Sequence, residues 1–244
     1  MVSVAEGSEV RSLRFRLEPG GHEIVSELEV AIVAGFTGRD RTAVLDHIAE
    51  LAEQGVASPT EFPCFYQVAP QLVTQGDVLV TTEPSTSGEA EVGLIVHDGT
   101  VLVTLASDHT DRAAERIDIA LSKRLCHKVV ATSVWRLDDV IDHWDTLRLR
   151  SWVGDDGSDP YQDGPLAELL APNLLLDAVP WRERPECFLL LCGTVPTIGG
   201  LRESKVFRAE LYDPTSDARL MLEYRIEVRD FLDPAPEATK EDRE

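Results

Sequence analysis

Two glutamates separated by one residue, Glu89 and Glu91, are the first side chains whose spacing suggests chemistry. They lie in the segment TSGEAEVGLIV, which has the apolar character of a strand, and residues two apart on a strand point to the same face. Two carboxylates side by side repel each other unless protons or a cation lie between them. Hard divalent cations such as Mg²⁺ and Mn²⁺ bind such oxygens. The alternative interpretation is an ordinary solvent-facing strand edge.

A third carboxylate, Asp108, follows the apolar segment VLVTLA and precedes a predicted helix. The dipeptide Asp98-Gly99 lies between this segment and the glutamate-bearing one, and such a dipeptide between apolar runs indicates a β-hairpin. We therefore expect Asp108 to lie near the two glutamates as a third metal ligand. The alternative is that Asp108 only caps the helix that follows it.

A histidine and a glutamate at helical spacing, His47 and Glu50, form the next candidate pair. Residues three apart share a face of a helix. A histidine oriented by a carboxylate can take a proton from water, which is the task of a general base. The alternative is a half-buried helix histidine with an incidental neighbour.

Several cations and a glycine-bounded loop could bind an anionic substrate. Arg112, Lys123 and Arg124 lie in the second predicted helix, and Lys128 follows closely. In the loop GTVPTIGG, the backbone N–H groups and the hydroxyl of Thr194 could hold an oxyanion or a carboxylate. The alternatives are that the cations complement a helix dipole and that the loop is a tight turn needing glycine.

The order of these motifs resembles that of the fumarylacetoacetate hydrolase superfamily, over roughly residues 31 to 230. That family has a His-x-x-Glu helix, a Pro-Phe strand, a Glu-x-Glu strand, an Asp-x-x-x-Arg segment, a lysine and a Gly-Thr-Pro loop. The sequence is most similar to a bacterial subfamily of uncharacterised function. Val195, inserted before the proline, and Glu115, where some members carry glutamine, depart from the pattern. The matching positions are His47 and Glu50, Pro63 to Tyr66, Glu89 and Glu91, Asp108 and Arg112, Lys123, and Gly193 to Pro196.

The resemblance implies an α+β, mainly β fold, namely a fumarylacetoacetase-like mixed β-roll with a few peripheral helices. It also implies a homodimer and a bound Mg²⁺ or Mn²⁺. The roles that it carries over are catalytic for His47, Glu50 and Lys123, substrate-binding for Tyr66, Arg112, Gly193 and Thr194, and metal-binding for Glu89, Glu91 and Asp108.

The activity implied by the resemblance is hydrolysis of a carbon–carbon bond in an acylpyruvate-like or other dioxo acid, with water activated by the His–Glu dyad. Cleavage next to a carbonyl leaves a carbanion, which is stored as an enolate that a divalent metal ion stabilises. Decarboxylation of a 2-oxo acid and keto–enol isomerisation share this enolate, so both remain alternatives. A non-catalytic ligand-binding protein on the same fold is an alternative of another class.

The hydrophobic pattern predicts the elements that must position these residues. A helix is predicted over 40–54. A second helix is predicted over 111–125, with Thr110 as its N-cap and with Ile117 and Leu125 directed inward. Strands are predicted over residues 10–17, 24–36, 77–82, 90–97, 101–107, 128–135, 144–153, 188–192, 206–212 and 220–228.

The predicted organisation is a catalytic domain over 31–233, with N-terminal strands in 1–30 packed on it and a disordered tail over 234–244.

The net charge is −21, from 23 basic and 44 acidic residues. We therefore expect no nucleic-acid partner and no anionic membrane surface as a partner. With no apolar run of about 18 residues and no apolar signal core, the chain is expected to be cytoplasmic. The four cysteines have no CxxC spacing and are expected to be free thiols.

Overall fold

The computed structural model describes residues 10–53, 59–154 and 159–230. The structure is mostly β, with few and short helices between the strands. The strands are β1 (Arg11–Leu17), β2 (His22–Leu28), β3 (Val30–Gly35), β4 (Cys64–Val68), β5 (Val73–Thr74), β6 (Val78–Thr81), β7 (Thr86–Ser87), β8 (Ala90–His97), β9 (Thr100–Ser107), β10 (Thr110–Asp111), β11 (Lys128–Arg136), β12 (Arg148–Val153), β13 (Gln162–Pro165), β14 (Phe188–Leu191), β15 (Val206–Asp213) and β16 (Ala218–Val228). The α-helices are α1 (Arg41–Glu53), α2 (Arg112–Glu115), α3 (Ile119–Leu125), α4 (Leu137–Val140) and α5 (Pro172–Ala178), and 3₁₀ helices cover Pro70–Leu72, Ile141–Thr146 and Leu166–Glu168.

A curled mixed sheet forms the centre of the fold. Within the described residues its strand order is β2-β1-β11-β9-β8-β14-β3-β4, and β5 also pairs with β11. β1 and β5 run parallel to β11, and β14 runs parallel to β3, whereas the other neighbours are antiparallel. As a result β3, β9 and β14 end at the same edge at which β8 begins. The side chains that follow these strands therefore converge at this edge.

A second sheet has the order β13-β12-β15-β16-β6, and its β16 runs parallel to β6. A short ladder between β7 and β10 extends the β8–β9 hairpin beyond the large sheet. This extension keeps the segments that carry Glu89 and Asp108 side by side after the hairpin itself ends.

Two apolar clusters cover the two faces of the large sheet. Leu94 and Leu190 belong to the cluster shared with the second sheet. Ile95 and Leu189 belong to the other cluster, which the curl of the large sheet encloses. Alternate residues of β8 and β14 thus enter opposite cores, which explains why both strands are continuous apolar runs in the sequence.

The hairpin predicted at Asp98-Gly99 is confirmed. β8 and β9 pair along their whole length, and Asp98 and Gly99, which connect them, have φ angles of 47° and 74°. The helix predicted over 40–54 and the terminal strand pair also form close to their expected bounds.

β1 joins the large sheet by pairing with β11. The domain division at residue 30 stays a prediction, and the tail at 234–244 lies outside the described residues.

The single helix predicted over 111–125 is wrong. Two short helices form instead, and each is begun by an aspartate, Asp111 or Asp118, whose carboxylate accepts a backbone N–H three residues later. Thr110, the expected N-cap, lies in β10, and its hydroxyl donates to a backbone carbonyl. Two aspartate caps seven residues apart are what divide the helix.

The inward face of this segment is polar rather than apolar. Ile117 and Leu125, which were expected inward, are exposed, whereas Ser122 and Lys123 are buried. Ion pairs between Lys123 and buried carboxylates hold this face against the sheet. Electrostatics, not apolar periodicity, therefore sets how α3 is oriented.

Among the helices of the described segments, none has the length and apolar character needed to cross a membrane. The four cysteines are free, as predicted, and three of them are buried: Cys126, Cys187 and Cys192.

Candidate functional site

A cleft of about 1170 Å³ opens at the edge where β3, β9 and β14 end and β8 begins. Every residue to which the sequence assigned a catalytic, metal-binding or substrate-binding role lines it. Their assembly in one place is a property of the structure, whereas their individual roles stay predictions. The lining residues concerned are His47, Glu50, Tyr66, Glu89, Glu91, Asp108, Arg112, Lys123, Gly193 and Thr194.

The two glutamates lie at the start of β8. Glu91 pairs with Ala106 of β9, and the Glu89 carbonyl accepts the backbone N–H of Asp108 at 3.0 Å. Both carboxylates reach the cleft, as residues two apart on a strand should. The hairpin register therefore brings Asp108 next to the glutamates, in agreement with the spacing.

Asp108 is fully buried between two lysines. Its Oδ1 lies 2.7 Å from Lys128 Nζ, and its Oδ2 lies 2.5 Å from Lys123 Nζ. Burial raises the pKa of the Asp108 carboxyl, but the two ammonium groups outweigh burial and lower that pKa to about 2. Asp108 is therefore ionised at neutral pH despite its burial.

Lys128, at the start of β11, is a site residue that the sequence indicates only as a nearby cation. Besides its contact with Asp108, its ammonium donates to the His109 carbonyl at 2.7 Å. Tyr224 Oη lies 2.9 Å from His109 Nδ1 and 2.8 Å from Ser107 Oγ. Burial lowers the pKa of His109 to about 3, so its ring is neutral. This network fixes the residues on both sides of Asp108, and no motif around Tyr224 indicates it.

Lys123 reaches into the carboxylates from the last turn of α3. Its Nζ lies 3.3 Å from Thr110 Oγ1, 3.7 Å from Glu89 Oε2 and 3.9 Å from Glu115 Oε1, in addition to its contact with Asp108. Burial alone would lower the pKa of Lys123, but the surrounding carboxylates raise it above its ordinary value. Lys123 is therefore a buried ammonium ion.

Arg112 is also occupied by partners within the protein. Its guanidinium lies 3.2 Å from Glu89 Oε1 and 2.7 Å from Glu115 Oε2. Its Nε donates to Ser87 Oγ at 2.7 Å. The group that was expected to bind substrate thus organises Glu89 and Glu115 in this structure, and substrate binding by Arg112 stays a prediction.

Glu91 differs from its neighbours because, across the described segments, it takes part in no ion pair. It is 3% exposed, and its Oε2 accepts the backbone N–H of Gly193 at 2.8 Å. Burial, and then the charge of Asp108, raise the pKa of Glu91 well above its usual range, and Lys123 offsets this only in part. A buried carboxylate in such surroundings requires either a proton or a further cation.

A buried glutamine ties the loop after β14 to the glutamate strand. Thr194 Oγ1 donates to the Ala90 carbonyl at 2.7 Å. Gln162 Nε2 donates to Thr194 Oγ1 at 2.5 Å and to the Val195 carbonyl at 2.8 Å. Gln162 Oε1 accepts from the Ala90 N–H at 2.8 Å and from Ser151 Oγ at 2.7 Å. The amide is fully hydrogen-bonded, yet no motif in the sequence around it indicates this role.

Gly193 occupies a position that requires glycine. Its φ is 89°, and a Cβ there would clash with the side chain of Thr37. Its N–H is bound to Glu91, and the Thr194 hydroxyl is bound to Ala90. The two groups expected to hold a substrate oxyanion are therefore engaged within the protein.

His47 and Glu50 lie at the mouth of the cleft on α1, which packs inward through Val44 and Ile48. Their side chains are 60% and 73% exposed, and His47 Nδ1 lies 3.8 Å from Glu50 Oε2. The pair shares a helix face as predicted, but this separation is too long for a hydrogen bond. Orientation of His47 by Glu50 thus stays a prediction. Tyr66, on β4, is half-buried in the cleft wall.

The carboxylates fit a divalent cation by ligand type. Their oxygens are the donors that Mg²⁺ and Mn²⁺ prefer, and within the described residues the Glu91 carboxylate has a backbone N–H as a partner but no ion pair. In the parts of the chain that the structure describes, however, no group of three or more His, Cys, Asp and Glu side chains is arranged to hold a metal ion. The obstacle is visible at Asp108, where ammonium groups contact both oxygens. Lys123 would therefore compete with a metal ion for Asp108.

The chain belongs to the family described as "Protein of unknown function (DUF2848)", whose family model matches residues 34–224. This span contains all ten of the site residues predicted from the sequence. No curated protein matches the sequence significantly.

Solved structures share the fold at low sequence identity. A hexagonal crystal form of 2-keto-3-deoxyarabinonate dehydratase has a TM-score of 0.57 and 13% identity, and it covers 85% of this chain and 77% of its own. The apo form of 2-keto-3-deoxy-D-arabinonate dehydratase has a TM-score of 0.58, 13% identity and the same coverage. A structure of Cg1458 has a TM-score of 0.57 and 12% identity, and it covers 86% of this chain and 83% of its own. Likeness at these identities establishes the fold alone.

Replacing Gln162 with leucine should destabilise the protein by about 2–4 kcal/mol, because the Ala90 N–H and the Val195 carbonyl would lose buried partners. Urea unfolding measures this cost. Gln67→Leu, at an exposed glutamine of β4, is the matched control and should change stability by less than about 0.5 kcal/mol. An effect no larger than that of the control would show that Gln162 does not join the strand and the loop.

In the metal-free protein, Glu91→Gln should raise the free energy of unfolding at pH 7. The pKa of Glu91 is raised in the folded state, so wild-type stability falls as the pH rises from the unfolded pKa, about 4.3, toward the folded one. Glutamine does not titrate, and the advantage of the variant should therefore disappear on acidification to that value. Unfolding in chelator across this pH range measures the difference, with the exposed Glu83→Gln as control. A Glu91→Gln protein less stable than wild type at pH 7 contradicts the argument.

Proposed function

We propose that this member of the DUF2848 family is an enzyme of the fumarylacetoacetate hydrolase superfamily that processes a small anionic acid. The substrate class is a 2-oxo acid or a 1,3-dicarbonyl acid of the acylpyruvate type. The observation that carries the proposal is the set of three carboxylates at one open cleft, of which Glu91 and Asp108 are buried and Glu89 has a side chain that is 14% exposed. Burying like charges together destabilises a protein, and such arrangements are concentrated at functional sites.

The charge of the cleft supports a bound cation as part of the site. Its described lining has more acidic than basic side chains, and Arg112 and Lys123 are already paired with carboxylates. Such a wall repels an anionic acid unless further positive charge is bound there. We propose that Glu89, Glu91 and Asp108 hold Mg²⁺ or Mn²⁺.

When bound, this cation would polarise the carbonyl oxygens of the substrate and stabilise negative charge on them. Breaking a bond next to a carbonyl leaves an electron pair on carbon, which delocalises onto the carbonyl oxygen. The ammonium of Lys123 is a buried donor in the cleft that can stabilise this oxygen by hydrogen bonding. Gly193 keeps Glu91 in place through its N–H, and the Gln162 amide holds that loop against β8.

Hydrolysis of a carbon–carbon bond is the first candidate reaction. His47 is the histidine that lines the cleft among the described residues. We propose that its ring takes a proton from water while the water oxygen bonds to the acyl carbon. The carbon–carbon bond then breaks, the acyl group leaves as a carboxylic acid, and the pyruvate-like fragment takes up the proton. Glu50 would orient the His47 ring once their 3.8 Å separation shortens.

Decarboxylation, dehydration or isomerisation of a 2-oxo acid is the second candidate. The exposure of His47 and Glu50 and the lack of a hydrogen bond between them favour it, since none of these reactions needs an activated water. A protein named as a 2-keto-3-deoxyarabinonate dehydratase shares the fold, which supports the same substrate class. A non-catalytic binding protein would hold the same acids without converting them.

Wild-type protein should bind one Mn²⁺ per chain, and Glu91→Gln should weaken that binding by about 100-fold or more, because a ligand carboxylate is lost. Isothermal titration calorimetry measures both. Glu83→Gln removes an equal charge at an exposed position outside the cleft and should bind as wild type does. If wild type binds no Mn²⁺, the cation part of the proposal is wrong.

With Mn²⁺ present, His47→Gln should lower kcat for acylpyruvate hydrolysis by about 100-fold or more, since the general base is removed. His22→Gln, at an exposed histidine of β2, is the matched control and should leave kcat unchanged. NMR of the products distinguishes an acid plus a pyruvate-like fragment from loss of CO₂ or water. Turnover of a 2-oxo acid that is unaffected by His47→Gln selects the second candidate. Tight binding without turnover across the panel selects the binding protein.

A further inference from the structure

The four oxygens around Lys123 Nζ come from different parts of the chain. Asp108 Oδ2 is the nearest, at 2.5 Å, and Thr110 Oγ1 follows at 3.3 Å. Glu89 Oε2 and Glu115 Oε1 complete the set at 3.7 and 3.9 Å. A positive charge surrounded by carboxylate oxygens from beside the ends of two strands and from a helix occupies the kind of environment that a metal cation occupies. Two of these oxygens belong to the side chains proposed as metal ligands.

The second lysine of the site, Lys128, lies on a strand rather than on a helix. Lys128 lies on a central strand of the large sheet, is fully buried, and divides its ammonium between Asp108 Oδ1 and the His109 carbonyl. The backbone that carries it is fixed by pairing with β9 and β5. We therefore expect Lys128 to stay paired with Asp108 when a metal ion binds.

Lys123 has the freedom that Lys128 lacks. It lies in the last turn of a short helix whose neighbouring apolar side chains, Leu121 and Leu125, are exposed. Its side chain is a flexible four-carbon stem that ends in a point charge. Glu115 offers a second carboxylate, which lines the cleft and lies outside the proposed ligand set. The ammonium can therefore leave Asp108 without losing all of its ionic partners.

We propose that Lys123 is an exchangeable internal counter-ion: its ammonium neutralises Asp108 and Glu89 while no metal ion is bound, and a divalent cation displaces it toward Glu115 and the cleft. This inference rests on the proposed function, because it assumes that the carboxylates bind a metal ion. The proposed exchange gives Lys123 two positions, one in the metal-free site and one in the metal-bound site. In the first it stabilises the metal-free protein, and in the second it faces the substrate.

The first test measures competition for the carboxylates. Lys123→Met removes the ammonium but keeps the volume of the stem, so Mn²⁺ should bind about tenfold more tightly or better than in wild type. The variant should also be less stable than wild type in chelator and should gain more stability from Mn²⁺. Arg124→Met, at the neighbouring exposed arginine of the same helix, removes the same charge outside the site and should leave the affinity within about twofold. An unchanged or weaker affinity in Lys123→Met overturns the inference.

The second test uses the unmodified protein and remains informative if Lys123→Met fails to fold. The chain contains four lysines, Lys123, Lys128, Lys205 and Lys240, so the side-chain nitrogens of ¹⁵N-lysine-labelled protein give few signals. Saturation with Mg²⁺, which is diamagnetic, should shift the Lys123 Nζ signal strongly. The signal of exposed Lys205 should not move, and that of Lys128 should stay that of an ion-paired ammonium.

These results separate two kinds of failure. If Mg²⁺ and Mn²⁺ bind but the Lys123 signal stays as in the metal-free protein, the exchange is wrong and the proposed metal site stands. If calorimetry detects no metal binding to wild type or to Lys123→Met, the proposed metal site is wrong and the exchange is wrong with it.

Discussion

The burial of carboxylates at the end of the β8–β9 hairpin is the constraint on which the rest of the site depends. An ionised carboxylate away from water needs compensating charge, and the chain supplies it to Asp108 from Lys123 and Lys128. Glu89 receives it from Arg112. Glu91 receives only a backbone hydrogen bond. Glu91 therefore requires either a proton or a further cation. The proposed metal ion meets the second of these needs, and the proposed movement of Lys123 frees Asp108 to bind it.

Hydrogen bonds from distant parts of the chain hold the carboxylates of the site in place. Gln162 fixes the loop after β14 to the strand that carries the glutamates, and Tyr224 fixes the residues that flank Asp108. Such a frame keeps the carboxylates together despite their mutual repulsion, as a preorganised binding site requires. The two groups proposed to move are Lys123, whose ammonium lies among the carboxylates, and the exposed side chain of His47. Movement is thus confined to the groups that would meet the cation and the substrate.

Local rules account for what the sequence could predict. Asp98-Gly99 sets the hairpin, the two-residue period of a strand puts Glu89 and Glu91 on one face, and the hairpin then brings Asp108 beside them. The resemblance to a known superfamily added the expectation that the His47 helix and the Gly193 loop would reach the same cleft. Each of these steps needs only short-range geometry or an ordered set of motifs.

Long-range contacts account for what the sequence could not predict. Gln162 and Tyr224 act on residues that are distant in the chain, and no local pattern distinguishes them from ordinary loop and strand residues. The helix over 111–125 failed because apolar spacing was followed, whereas two aspartate caps divide it and the ion pairs of Lys123 set its inward face. Lys128 was expected to bind an anionic substrate or to complement a helix dipole, and its buried contact with Asp108 was missed for the same reason. Buried charge pairs do not recur at a fixed spacing along the sequence, so periodicity cannot predict them.

Anomalous diffraction from crystals grown with Mn²⁺, collected at the manganese absorption edge, tests the central claim most directly. The account predicts one strong anomalous peak within coordination distance, about 2.2 Å, of oxygens from Glu89, Glu91 and Asp108, with Lys123 Nζ moved away from Asp108. A map with no peak at these carboxylates, and with Lys123 still paired to Asp108 at saturating Mn²⁺, would contradict it.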